Sequence, residues 1–391
     1  ELQKPTQYYE SRNQTMIHFK NVIYFNQRYC YLYIFFFALA IRIFTVILVP
    51  PEVWEYEIIA INVLNNQGFV YPHLGTIYRS YCEPLYPFIC VMVYFLTHHS
   101  IFMLELIQAI FSSSIAVVIY FCARNLYGQK IALLASILVA LHPGLIIYTT
   151  KLHPLSLDAL LISLVLITMI KLFYSLTWRN IVIAGLVSGL CILTRPTILV
   201  FLPLALICIF KIRKTKFAKS IGYIFVFLIV AGTMFLPWSL RNYFVQGEFM
   251  LTRSNAPYVL WLGNNPKFSG SAMSREGRSL FQLAPRDFQR KIRELDEVEQ
   301  NREFLKISLN YIKRYPLGFI ERTIKKFCYF WWFNPQAGLL YPKIYLRLYK
   351  IFSFFPPYYI ATSSPFFSSF SEFSTVRTPY TPILFIDFSL K

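Results

Sequence analysis

Long, nearly uncharged apolar runs alternate with short basic clusters through the first 240 residues, and this alternation predicts the elements. Runs at about 29–49, 105–123, 131–150, 155–173, 181–194, 196–210 and 220–238 have the length and apolarity of membrane-crossing helices or their halves. The run "PLYPFICVMVYFLTHH" at 84–99 is shorter, carries Pro84 and Pro87 and ends in His98-His99, so we expect a partial or re-entrant helix. Between the first two runs lies the acidic stretch "PPEVWEYEIIAINVLNNQGF" at 50–69. Helical periodicity over 52–66 puts Glu52, Glu55 and Tyr56 on one face and an apolar stripe of Trp54, Ile58 and Ile61 on another. Pro51 suits the first turn of that helix and Gly68 its stop. Further on, 286–316 alternates charges with Phe288, Ile292, Leu295, Phe304 and Leu305, which predicts an amphipathic helix. At 317–335, Arg322, Lys325 and Lys326 mix with Phe327, Tyr329, Trp331 and Trp332, the pattern of an interfacial helix with an aromatic belt.

Composition turns this pattern into a class. Hydrophobic residues make up 56% and charged residues 15% of the 391 residues, with mean hydropathy +0.47, far from a soluble balance. The expectation is an all-α polytopic transmembrane bundle with amphipathic juxtamembrane helices and a large extracytoplasmic loop. The net charge of +19 raises the question of nucleic acid. The basic residues sit between apolar spans, however, as cytoplasmic loops facing anionic membrane lipids do, and nucleic acid is not an expected partner. Lys20 and Arg28 place the N-terminal segment 1–28 inside, as do Arg124 with Lys130, Lys171 with Arg179, and "KIRKTKFAK" at 211–219. The membrane module is then 29–238, with an outer first loop at 50–83 and an outer loop plus interfacial helix at 239–335. The segment 336–391 turns Ser/Phe/Pro-rich and is expected to be irregular or truncated. No signal-peptide cleavage site is apparent after 1–27, and the start at Glu1 rather than Met points to a start further upstream. Seven scattered cysteines without a CxxC pair indicate neither a metal knuckle nor a disulfide framework.

This threading brings polar groups of separate spans to the outer side: Glu52 and Glu55 with Tyr56, Arg79, then Lys151, His153 and Asp158 around Pro154, Arg195 at the "LTRPT" break, and Arg241 with Asn242 in "PWSLRNY". Each has a structural alternative: a lysine snorkels, a histidine caps or packs, an arginine anchors a span end. Arg195 is the hardest to treat so, because a guanidinium beside a proline break in an apolar stretch needs a partner. Arg42, within the first span, is expected to pair with Glu105 or Asp158.

Several motifs resemble, in order, the bacterial membrane glycosyltransferases of the GT-C superfamily, near the protein-O-mannosyltransferase and aminoarabinose-transferase group. They are Glu52, Glu55, Tyr56 and Ala60 followed by "NNQGF", then "EPLYP", "ALHPGLIIYTT", "GLCILTRPT", "LPWSLRNYFVQGEF" and "LGNNPKFSG". The resemblance spans roughly 29–335, and Glu52 stands where members commonly have aspartate. It implies a hexosyl- or pentosyl-type transferase of the plasma (inner) membrane, with its active site on the extracytoplasmic side. The donor would be a polyprenyl-phosphate sugar, and the acceptor a lipid, glycan or protein. A glycosyl phosphate carries its own leaving group, so the chemistry needs a carboxylate base for the acceptor and fixed cations at the phosphate. Glu52 and Glu55 are the catalytic candidates. Tyr56, Arg79, Lys151, His153, Asp158, Arg195, Arg241 and Asn242 are the binding candidates. No residue set is assigned to a metal, although a divalent cation (Mg or Mn) could bridge Glu52 and the phosphate. The competing class is a transporter or channel using the same charges.

Overall fold

The computed structural model describes residues 29–211, 217–264, 278–331 and 351. The segment 1–28, nearly all of 336–391, and most of the 211–219 cluster lie outside them. Within the described residues the chain is helical apart from one small hairpin, an integral-membrane helical architecture. Helices α1 (Cys30–Leu48), α4 (Ile101–Tyr127), α7 (Leu155–Tyr174) and α10 (Phe217–Gln246) are long and apolar enough to cross a membrane. Shorter apolar helices pack between them: α3 (Leu85–Thr97), α5 (Gln129–Ala140), α6 (Pro143–Ile147) and α8 (Trp178–Ile192), with a 3-10 turn at Pro196–Phe201 leading into α9 (Leu202–Lys211).

The basic clusters gather at one end of this bundle. Near the end of α7 the Tyr174 hydroxyl donates to the Asn125 carbonyl of α4 (3.2 Å). Trp178, at the start of α8, packs at a tilt against Tyr223 near the start of α10 (4.3 Å), and Lys219 lies over the same tyrosine ring (5.8 Å). The long loops gather at the other end. Helix α3 never leaves it: Tyr86 near its start packs on Tyr56 (5.3 Å), and Tyr94 near its end donates to Glu57 (3.1 Å). Both partners belong to the short surface helix α2 (Glu55–Leu64). At 13 residues, α3 spans about 20 Å, short of the ~30 Å hydrocarbon core. The partial helix expected at 84–99 is therefore what the chain forms.

Small residues let the helices approach closely. A Cβ on Gly189 of α8 would stand 2.6 Å from the Ala231 carbonyl of α10, so only glycine fits there. Around α1, α4 and α5 the buried set is Ile34, Ala38, Ala116, Tyr120, Ala123, Ala132 and Ala140. Arg42 lies fully buried beside it, but it does not pair with Glu105 or Asp158. Its Nε donates to Ser112 Oγ (2.7 Å) and its Nη1 to the carbonyls of Ala38 and Ala140 (both 3.0 Å). The Ala140 carbonyl is free to accept because the run expected as one span over 131–150 is broken. Pro143 starts a new helix, α6, whose N-cap is His142. Arg42 thus satisfies an orphaned helix end inside the bundle.

At the loop end a hairpin of β1 (Tyr71–His73) and β2 (Thr76–Tyr78) meets a lobe built from α11 (Ala256–Gly263), α12 (Arg286–Glu294) and α13 (Glu297–Arg314). Tyr258, Trp261, Phe281, Ile292 and Phe304 form the lobe's core. The amphipathic helix expected over 286–316 is two helices, because Asp296 and Glu299 form a capping box that starts α13 afresh. The 50–83 and 239–315 segments pack together through Glu297, which is buried. Its carboxylate accepts from the Arg79 and Ser80 N–H groups (2.6 and 3.1 Å) and from Gln246 Nε2 (2.6 Å). Replacing Glu297 with Ala strands the Arg79 and Ser80 N–H groups, while Gln246 keeps its bond to Ser80 Oγ (3.2 Å), and should cost about 3 kcal/mol, since each buried unsatisfied group costs roughly 1–3 kcal/mol. Thermal unfolding in detergent measures it; an unchanged midpoint would mean that the loop does not depend on this anchor.

Candidate functional site

Glu52 is extended, not helical. Its N–H donates to the Thr150 carbonyl (2.8 Å) and its carbonyl accepts from the Leu152 N–H (2.9 Å), a one-pair parallel bridge. With both backbone groups taken across the loop, the helix expected over 52–66 begins only at Glu55, after the extended Trp54. Glu52 and Glu55 therefore do not share a helix face. The buried face of α2 carries Tyr56, Glu57, Ile59 and Ala60 rather than Trp54, Ile58 and Ile61.

The bridge sets the Glu52 carboxylate against the buried Lys151 ammonium (Oε2–Nζ 2.6 Å), with Glu52 itself 44% exposed. Lys151 also lies over the Tyr148 ring (5.4 Å). His153 sits among the rings of Trp54, Tyr56 and Tyr148 (5.2, 5.6 and 5.6 Å), and its Nδ1 accepts from the Leu155 N–H (3.2 Å). Burial, reinforced by the charges of Arg195 and Lys151, pushes His153 down to about 3. This favours the uncharged imidazole, held among aromatic rings. Tyr56, wedged between His153 and Tyr86, has its phenol pushed up chiefly by burial and stays protonated.

Arg195, whose charge also reaches His153, holds an extended backbone at the break between α8 and the 3-10 turn, as the two half-length runs predict. Its Nε meets Asp158 Oδ2 (3.4 Å), while the side chain stays 37% exposed. The Thr194 hydroxyl donates to Asp158 Oδ1 (3.5 Å). The exposed part of the guanidinium fork can take a phosphate oxygen.

Two further carboxylates, Glu55 and Glu83, lie close enough to Tyr56 to act on its phenol. Glu83 is 4% exposed and meets Arg253 Nε at 3.2 Å. Burial raises both Glu55 and Glu83 above the usual carboxylate range; Glu83 raises Glu55 further, and Arg253 opposes the rise in both. Neither Glu83 nor Arg253 stands out as a site residue in the sequence. Glu83 lies within the "EPLYP" motif, but Arg253 lies in an irregular loop, where no periodicity announces a partner.

Arg241, Asn242 and Arg79 belong to the loop clamp. Arg241 Nη1 donates to the Arg79 carbonyl (2.5 Å), Ser80 Oγ (3.1 Å) and Asn242 Oδ1 (3.1 Å), and its guanidinium stacks on Trp238 (4.7 Å). Asn242 accepts from Ser80 (3.0 Å) and donates to the Thr252 carbonyl (3.2 Å). Arg195 and Arg241 thus have different partners; the charge that joins Arg195 around Glu83 is Arg253. Among the described residues no three His, Cys, Asp or Glu side chains converge as a metal cage. A bridging cation would have to draw on Glu52, whose Oε2 Lys151 already holds.

The buried carboxylates give a pH signature. An acid whose pKa is higher folded than unfolded adds stability that is full below its unfolded value and fades as pH rises through the folded one. From an ordinary value of 4.5, Glu55 should make the fold less stable as pH climbs above that point. Glu55→Gln should flatten this slope in thermal midpoints taken across pH. An identical slope in the variant would assign the effect to other groups.

Residues 82–239 match the family described as dolichyl-phosphate-mannose-protein mannosyltransferase. No curated protein and no solved structure matches the chain. The matched stretch holds Glu83, Lys151, His153, Asp158 and Arg195, while Glu52, Glu55, Arg241 and Arg253 flank it. That match, over about two fifths of the chain, together with the membrane-length helices, supports a membrane glycosyltransferase of the GT-C type.

Proposed function

We propose that this protein moves a sugar from a polyprenyl-phosphate donor to an acceptor hydroxyl or amine at the loop end of the bundle. In this reading that end is the extracytoplasmic side of the plasma (inner) membrane. The reading draws on the family matched over 82–239. The observation that carries it is that the Glu52–Lys151 and Arg195–Asp158 pairs both come close to His153, whose imidazole feels the charges of Arg195 and Lys151.

Glu52 takes the acceptor's proton as the acceptor atom attacks the anomeric carbon. The bond from that carbon to the phosphate oxygen breaks, its electrons leave with the phosphate, and the Arg195 fork stabilises the charge that collects there. The leaving group needs no acid, which agrees with a neutral His153. A retaining route would need a second carboxylate as nucleophile. Asp158, the candidate for that role, is held by Arg195 and Thr194, which favours a single inverting displacement. Lys151 holds Glu52 in place, Glu55 and Glu83 shape the polar floor with Arg253, and no step runs through a metal. The acceptor, by the same reading, is a protein, glycan or lipid. Incubating the purified protein with polyprenyl phosphates carrying radiolabelled hexoses or pentoses tests it, read as loss of label from the lipid. No loss with any sugar would overturn the reading and return the buried charges to a transport site.

A further inference from the structure

Away from this site, the turn joining α13 to α14 (Pro316–Trp331) forms an open cavity of about 340 Å³. Tyr311, Arg314, Tyr315 and Arg322 line it, together with the first turn of α14 through Leu317 and Gly318. Each arginine is stacked on a tyrosine: Arg314 over Tyr315 (5.6 Å) and Arg322 over Tyr311 (4.8 Å). Arg322 Nη1 donates to the Tyr311 hydroxyl (3.2 Å), but its Nε and Nη2 are enclosed without a hydrogen-bond partner among the described residues. Enclosed guanidinium N–H groups left unpaired are costly unless an acceptor comes to them. The single carboxylate of α14, Glu321, is turned to Lys325 (2.6 Å). Gly318 keeps the space open, since a Cβ there would stand 3.2 Å from Arg322 Nη2.

An apolar stripe begins at this cavity. Leu317, Ile320 and Ile324 share one face of α14 and are 79%, 53% and 57% exposed. Among the described residues no neighbour packs on this face, and acyl chains beside membrane-spanning helices are suited to cover it. A cationic cavity at the head of an apolar stripe matches one molecule end to end: a phosphate group with hydrocarbon attached.

We propose that the α13–α14 turn is a binding site for an anionic membrane phospholipid, its phosphate taken by Arg322 and Arg314 and its chains laid along Leu317, Ile320 and Ile324. The site is independent of the transfer reaction and would dock the lobe that holds Glu297 and Arg253 on the membrane surface.

The test uses the full chain in neutral detergent, titrated with phosphatidylglycerol or phosphatidylcholine and followed by native mass spectrometry and by the unfolding midpoint. Wild type should retain one phosphatidylglycerol in clear preference to phosphatidylcholine. The double change Arg314→Gln and Arg322→Gln should weaken that retention about tenfold or more, as expected for lost charge-assisted bonds. Because Arg322 also braces Tyr311, Arg314→Gln alone is the second variant; it should lower the preference without moving the lipid-free midpoint. Lys325→Gln, outside the cavity, should keep it. Equal retention of the two lipids by wild type, or a preference surviving both arginine variants, would overturn the site. Inorganic phosphate competing as well as phosphatidylglycerol would overturn the lipid assignment, and so would polyprenyl phosphate displacing it.

Discussion

Changing Glu52 to Gln should lower the transfer rate by about 10²–10⁴, the usual worth of a general base, while the donor still binds. Glutamine keeps the shape of the side chain, and its amide oxygen can still accept from the Lys151 ammonium, which lies 2.6 Å from Oε2. The backbone bridge to Thr150 and Leu152 does not involve the side chain, so the loop should stay in place. What is lost is the capacity to take a proton. Glu55→Gln should cost less, because Glu55 lies near Tyr56, Glu83 and Arg253 rather than beside Lys151. Single-turnover transfer from a labelled donor, together with a separate donor-binding titration, distinguishes the outcomes. Near-normal turnover in the Glu52 variant with a collapse in the Glu55 variant would exchange their roles. Normal turnover in both would remove the acidic loop from the chemistry.

Donor affinity should respond most to Arg195. Removing its guanidinium with Ala takes away a charged hydrogen bond to the phosphate, worth roughly 1.5–3 kcal/mol, or about 10- to 150-fold in Kd. The same change leaves Asp158 buried without its cation, and that alone can destabilise the bundle. Adding Asp158→Asn separates the two effects: the double variant should regain its unfolding midpoint but not its affinity for the lipid-phosphate sugar. If affinity returns along with stability, Arg195 acts only as a brace for Asp158. Arg241 gives the contrast. Its Nη1 serves the Arg79 carbonyl, Ser80 and Asn242, so Arg241→Ala should lower stability more than donor affinity.

Much of the frame is legible along the chain, for reasons that act locally. Apolar runs bounded by Arg124, Lys130, Lys171 and Arg179 become helices whose basic ends gather together, because hydrocarbon requires backbone groups to be satisfied within each segment. The short run at 84–99 fails to cross for want of length, and Arg195 marks the break between two half-length helices because a proline follows it. Candidate chemistry was legible where a charge stands in an apolar context, as at Arg195 and Lys151.

Tertiary structure decided what depends on groups distant in the chain. Glu52 leaves the helix that its periodicity favours because Thr150 and Leu152, a hundred residues on, take both of its backbone groups. Arg42 finds Ser112 and the Ala140 carbonyl instead of a carboxylate, since the break before Pro143 exposes an acceptor that no pattern of charges reveals. Glu83 and Arg253 meet because Ser254, next to Arg253, bonds the Ser80 carbonyl, three residues before Glu83, across 174 residues of chain. Periodicity fixes which side of a helix is apolar; which residue a buried charge faces is set by how separate segments pack, and that is not written in any one of them.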